Sequence, residues 1–147
     1  MKIVCDTNVL VRAAINPNGL ASELLRRIRL GHALVASYPL LVETLDVLRR
    51  PRIQSLHGRD EHGIRRFISS LYKVAIIVRI PQSLPRVIPS DPKDDFVLIT
   101  AIGGQASILT TRDQHFFDPG VLAFAAVHGL RIVRDDQLLH ELRADQS

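Results

Sequence analysis

The sequence predicts an α/β fold, a three-layer sandwich in which helices cover both faces of a central parallel sheet of about five strands. Two observations carry this. Short runs of β-branched and apolar residues alternate along the whole chain with longer segments whose apolar residues recur at helical spacing. The runs are apolar nearly throughout rather than alternating, as expected of strands buried on both faces. The chain has 147 residues, 46% of them hydrophobic, which suits one continuous core, so we expect a single domain over 1–147.

Lys2-Ile3-Val4-Cys5 reads as the first strand, ending at Asp6. Asn16 to Gly19 is a turn, and Leu20, Leu24, Leu25 and Ile28 then mark a helix that Gly31 stops and Ser22 is placed to cap in part. Residues 33 to 36 form the second strand. Pro39 opens a helix with Leu41, Val42, Leu45 and Leu48 on its buried face, and Arg49-Arg50-Pro51 ends it. Ile64, Phe67, Ile68 and Leu71 give another amphipathic helix before a third strand over Val74 to Ile80. Pro81, Pro85, Pro89 and Pro92 impose a long loop, and a helix from about Asp94 carries Val97, Leu98, Ala101 and Ile102 as far as Gly103-Gly104. Ser107 to Thr111 is the fourth strand. Asp118-Pro119 is a cap and first-turn proline for a short helix that Gly129 ends, and Leu130 to Val133 is the last strand before a helix marked by Leu138, Leu139 and Leu142.

Parallel strands joined by right-handed crossovers bind ligands beyond their carboxyl ends, and that rule selects the acids just after strands, Asp6 and Asp113. Glu43, one turn into the helix after the second strand, and Asp94 or Asp95, at the start of the helix after the proline-rich loop, begin at the same sheet edge. Carboxylates gathered this closely repel one another unless a divalent cation neutralises them. Hard oxygen ligands without His or Cys favour Mg²⁺ or Mn²⁺ over zinc. Such an ion orients water, lowers its pKa and offsets charge on a phosphodiester. Asp46 and Asp91 read as a solvated helix face and a turn, and His57, His62 and His128 lack ligand spacing.

The net charge of +4 is carried mostly by arginine, which suits a partner bearing phosphates. Arg26, Arg27 and Arg29 lie off the apolar stripe of their helix and are candidate phosphate contacts flanking the crevice. Cys5 is the single cysteine, which excludes an internal disulfide, and its apolar surroundings predict an inert thiol. With no membrane-length apolar stretch and no signal-peptide pattern, the expected location is cytoplasmic.

Asp6-Thr7-Asn8-Val9-Leu10 resembles the opening motif of PIN domains, particularly the branch of toxin components from toxin-antitoxin pairs. Tyr38-Pro39-Leu40-Leu41-Val42-Glu43-Thr44-Leu45 with Val47-Leu48-Arg49-Arg50-Pro51 is similar to the helix bearing that family's second acid. Asp91-Pro92-Lys93-Asp94-Asp95 resembles the segment carrying the third, and Thr110-Thr111-Arg112-Asp113 the strand end carrying the fourth. The resemblance implies Asp6, Glu43, Asp94 and Asp113 as catalytic acids, with Asp6, Asp94, Asp95 and Asp113 around the metal and Asp95 able to exchange roles with Asp94. Thr7, Asn8 and Thr111 are implied as supporting polar residues. It further implies a ribonuclease dependent on Mg²⁺ or Mn²⁺, an RNA substrate, a small antitoxin partner and a homodimer. Two departures stand out: Gln114-His115-Phe116-Phe117 follows Asp113 where this branch commonly has another Asp, and Asp118 to Gly129 is an added segment.

A haloacid-dehalogenase-like phosphatase also has an Asp after its first strand, but needs a second Asp two residues later, where this chain has Asn8. A receiver domain needs an acceptor Asp after its third strand, which here runs into Ile80-Pro81. A non-catalytic RNA- or partner-binding module is the alternative from another class. The four acids argue against it, because binding a polyanion gains nothing from a negative pocket.

Overall fold

The computed structural model describes residues 1–80 and 96–145 together with the backbone of Asp95. Five strands, β1 (Lys2–Cys5), β2 (Ala33–Ser37), β3 (Ile76–Val78), β4 (Ile108–Thr110) and β5 (Arg131–Val133), pair in the order β3-β2-β1-β4-β5, every pair parallel. Eight helices among the described residues flank the sheet: α1 (Thr7–Ile15), α2 (Leu20–Gly31), α3 (Tyr38–Arg49), α4 (Pro51–His57), α5 (Glu61–Val74), α6 (Asp95–Gly103), α7 (Pro119–Val127) and α8 (Asp135–Asp145). The chain steps outward from β1 to β2 to β3, then returns past β1 to β4 and β5. Right-handed crossovers therefore place α6 and α7 on the face opposite to α2, α3 and α5. Ile3, Val4, Val35, Ile108 and Leu109 at the centre of the sheet are at most 1% exposed, the double-sided burial that their continuous apolar runs predict.

Local chemistry explains the elements that the sequence reading missed. Residues 7–15, assigned no element from sequence, form α1 because Asp6 caps it, its Oδ1 accepting from Thr7 N at 2.7 Å, while Val9, Leu10, Ala13 and Ala14 are buried. Helix α3 ends at Arg49, as expected from Arg49-Arg50-Pro51, but Pro51 then starts a further helix, α4, since proline is tolerated in a first turn whose N–H has no intrahelical partner. Ser22 does not cap α2: Gly19 is the N-cap, and the Ser22 hydroxyl donates to Ala13 O and Asn16 O, both at 2.7 Å. The third strand is shorter than expected because Val74 belongs to α5, and Ile76 and Ile77 lie exposed on the sheet edge. Val42 is exposed rather than buried, its place on the inner face of α3 taken by Leu40 and Thr44. The proline-rich loop and Asp94 lie outside the described residues.

Gly104 is required by close approach, because a Cβ there would fall 2.5 Å from Val35 Cγ1 and 2.9 Å from Val78 Cγ2. Nearby, Ser37 at the end of β2 and Thr100 on α6, both fully buried, share a hydrogen bond of 2.7 Å. This contact pins α6 above the carboxyl edge of the sheet, where its first turn begins. Cys5 is buried, and burial pushes its thiol up to about 12, which fits the inert role expected. No helix among the described residues is long and apolar enough to cross a membrane.

Candidate active site

The carboxyl ends of β1 and β4 lie side by side, with Cys5 in register with Thr110 and Asp6 N donating to Thr110 O at 3.0 Å. Asp6 and Thr111 are thereby neighbours although 105 positions apart, and the Thr111 hydroxyl donates to Asp6 Oδ2 at 2.7 Å. The same hydroxyl oxygen accepts from Asp113 N at 3.0 Å, and so orients the next acid. Asn8 Nδ2 donates to Asp6 Oδ2 at 3.2 Å, and Thr7 Oγ1 donates to Glu43 Oε2 at 3.1 Å across to α3. Thr7, Asn8 and Thr111 thus each hold one of the candidate acids.

Asp6, Glu43 and Asp113 line one groove of about 390 Å³, together with Thr7, Asn8, Arg12 and the apolar wall of Val11, Ile15, Val47 and Ile53. Asp6 is 3% exposed, and every contact it makes among the described residues is with an uncharged donor. Its carboxyl is pushed up from 3.8 to about 6, chiefly by desolvation. The hydrogen bonds from Thr111 and Thr7 oppose that rise, and the charges of Asp113 and Glu43 add to it. Asp113 is more open, with Oδ1 accepting from His115 N at 3.0 Å and the His115 ring at 3.3 Å.

The donor set fits a hard divalent cation. It consists of carboxylate oxygens, and it includes an orphan: Asn8 Oδ1 is buried with no hydrogen-bond partner, because a carboxylate can only accept and so takes the amide nitrogen. Among the described residues, however, no three His, Cys, Asp or Glu side chains converge as a ready-made ligand cluster. Asp94 lies outside those residues, and of Asp95 only the backbone is described, as the first residue of α6.

The arginines proposed from sequence do not join this groove. Arg26 Nη1 donates to Pro17 O, and Arg27 pairs with Glu23 at 2.9 Å. Arg143 and then Arg27 hold the Glu23 carboxyl down to about 2. Arg26 and Arg29 line a separate pocket with His32, Leu34 and Val74, and Arg29 lies within one turn of the start of β2, at the amino edge of the sheet. Helix α2 runs antiparallel to the strands, so its last turn lies far from their carboxyl ends.

Different cations stand at the site. Arg12 on α1 lines the groove, and its Nη2 lies 2.6 Å from Asp135 Oδ2, close but not aligned for a hydrogen bond. Arg112, between Thr111 and Asp113, donates from Nε to Asp135 Oδ1 at 2.7 Å. Asp135 is fully buried and also accepts from Asp136 N at 2.9 Å. The rule that selected acids just past strands selects Asp135 too, two positions beyond β5. Arg12 is found once residues 7–15 are read as a helix, since it sits four positions after Asn8 on the same face.

The added segment of residues 118 to 129 is α7, which packs on β5, with Asp118 Oδ1 accepting from Gly120 N at 2.9 Å and Gly129 at φ +70. Gln114–Phe117, the first departure noted from sequence, forms a 3₁₀ turn that buries Phe116 completely, so core packing occupies this place. His57 is structural, its ring bonded to Leu48 O and to Arg59 N. A family model described as PIN domain matches residues 2–115, a stretch that includes Asp6, Glu43, Asp94, Asp95 and Asp113 and ends before α7, β5 and α8. No curated protein matches the chain.

Proposed function

The chain belongs to the PIN-domain family, whose members are typically nucleases that use divalent metal ions, and on that premise we propose that it is an endoribonuclease dependent on Mg²⁺ or Mn²⁺. The observation that carries the reading is that Asp6, Glu43 and Asp113 line one groove at the carboxyl edge of the sheet. Those three acids, with Asp94 or Asp95, would hold the ion, which when bound supplies an activated water and offsets charge on the phosphodiester. Asp6 has both oxygens fixed by hydrogen bonds, so its position is set before any ligand arrives. Thr7 fixes Glu43, and Thr111 fixes the backbone of Asp113. The wall of Val11, Ile15, Val47 and Ile53 limits water on one side of the groove.

A toxin role, silenced by a small antitoxin, is part of the same proposal, as are a homodimeric assembly and a cytoplasmic location. The alternative is a non-catalytic RNA- or partner-binding module on the same scaffold. One assay separates the two. Single-stranded and structured RNA incubated with the purified chain is cut in the presence of Mn²⁺ or Mg²⁺ and left intact with chelator. Binding without cleavage in all conditions establishes the module instead.

A further inference from the structure

Asp135, Arg12 and Arg112 lie outside the set of acids that carries the nuclease reading, and Asp135 lies beyond the stretch matched by the family model. A fully buried carboxylate facing two guanidinium groups is a poor device for stability, because desolvation of the charges offsets most of their attraction. It is an effective device for orientation. Each arginine offers one part of its fork to Asp135, while 32% of the Arg12 side chain and 41% of the Arg112 side chain stay exposed. Arg12 is further tied by Nε to Asn8 O at 3.3 Å, and Arg112 is fixed in sequence between Thr111, which bonds Asp6, and Asp113. No described residue takes a hydrogen bond from the Nη atoms of Arg112. The arrangement leaves two partly desolvated guanidinium groups beside a groove lined by acids, where a polyanionic strand needs cationic contacts to approach.

The geometry points to Asp135 as a positioning residue that presents Arg12 and Arg112 as a clamp for a backbone phosphate of the RNA strand entering the groove. The inference rests on the nuclease reading, since it takes RNA as the occupant. Charge alone and positioning make opposite predictions for Asp135→Asn. Removing a carboxylate raises the net charge by one, so arginines acting as diffuse charge bind RNA more tightly in the variant. Arginines that depend on Asp135 for their orientation bind it less tightly.

The test is a fluorescence-anisotropy titration of a labelled single-stranded oligoribonucleotide into the full chain, with chelator present to prevent cleavage, over a series of salt concentrations. Asp135→Asn is expected to weaken binding about tenfold. The double variant Arg12→Gln, Arg112→Gln is expected to weaken it and to flatten the slope of log Kd against log salt by about 0.7, the change expected when one phosphate of a single strand is no longer neutralised. Thermal melting accompanies each variant; if Asp135→Asn does not fold, the arginine pair, both partly exposed, decides alone. Wild-type binding that is matched by the arginine double variant, or exceeded by a folded Asp135→Asn protein, overturns the clamp and leaves the nuclease reading standing. A wild-type protein that neither binds nor cuts the oligoribonucleotide overturns both.

Discussion

Two buried aspartates stand at the same edge of the sheet and are satisfied in opposite ways. Asp6, after β1, is 3% exposed and receives hydrogen bonds only from uncharged groups, the Thr7 amide, the Asn8 carboxamide and the Thr111 hydroxyl. Asp135, after β5, is fully buried and already neutralised by Arg12 and Arg112. A buried carboxylate held in place by neutral donors keeps an unmet demand for positive charge, which an external cation can supply. One that faces two guanidinium groups has no such demand and serves to fix its partners. Burial of an acid is thus a weak functional signal until the charge of its neighbours is known.

The contrast breaks most visibly in catalysis. Asp6→Asn is expected to reduce metal-dependent RNA cleavage by about 10²-fold or more, since it removes a ligand charge. Asp135→Asn should reduce it by an order of magnitude less, through weaker RNA binding; single-turnover rates at sub-saturating RNA measure this, with the Asp135→Asn loss vanishing at saturation, and equal losses in the two variants at every RNA concentration erase the distinction.

Next in size is the pH dependence of the metal-free protein. Asp6 titrates at about 6 in the folded chain and near 3.8 unfolded, so the folded state binds more protons between those values. The contribution of Asp6 to stability is therefore full below about pH 4, falls as pH rises to about 6, and is flat beyond, a loss of roughly 3 kcal/mol for a shift of this size, read as the difference between wild type and Asp6→Asn because the other carboxylates titrate alike in both. Denaturant melts in chelator across this range should show the fall in wild type and not in Asp6→Asn, which should be the more stable protein at neutral pH. Parallel curves would mean that burial does not strain this carboxylate.

A divalent ion that binds only the folded chain adds roughly 2.7 kcal/mol at 100 times its Kd. The melting temperature of wild type and of Asp135→Asn should rise with Mn²⁺ beyond the effect of monovalent salt at equal ionic strength, while Asp6→Asn responds less. If Asp135→Asn instead loses the response, that residue belongs to the metal site and the comparison fails. The smallest effect is expected for Thr111→Val, which removes one donor to Asp6 and the acceptor for Asp113 N. A cost of about 1 kcal/mol and a further rise in the Asp6 titration midpoint, read by NMR of the carboxyl carbon, would show that neutral donors hold that charge in check.

Several features were legible in the sequence for physical reasons. Short, β-branched apolar runs bounded by turn residues and alternating with helical segments suit strands covered on both sides, so the parallel sheet followed from them. The crossover rules then put Asp6 and Asp113 at one edge, and the structure brings both to one groove with Glu43. Other features were not legible because they depend on which side chains meet. Residues 7–15 are apolar on nearly every side, and their helical state is decided by the Asp6 cap and by packing of Val11 and Ala14 against Leu48 and Ile64. The arginine stripe on α2 is indistinguishable in sequence from a phosphate-binding face. Only the direction of α2 relative to the strands sends its last turn to the wrong edge of the sheet. Asp135 followed the same local rule as Asp6, yet the sequence alone could not separate a ligand from an anchor. That choice is made by Arg12 and Arg112, whose ion pairs with Asp135 exist only when β4, β5 and α1 are assembled. The sequence determined which residues reach the edge of the sheet. Tertiary structure decided which of them are already neutralised, because electrostatic pairing acts through space and the order of residues along the chain does not record it.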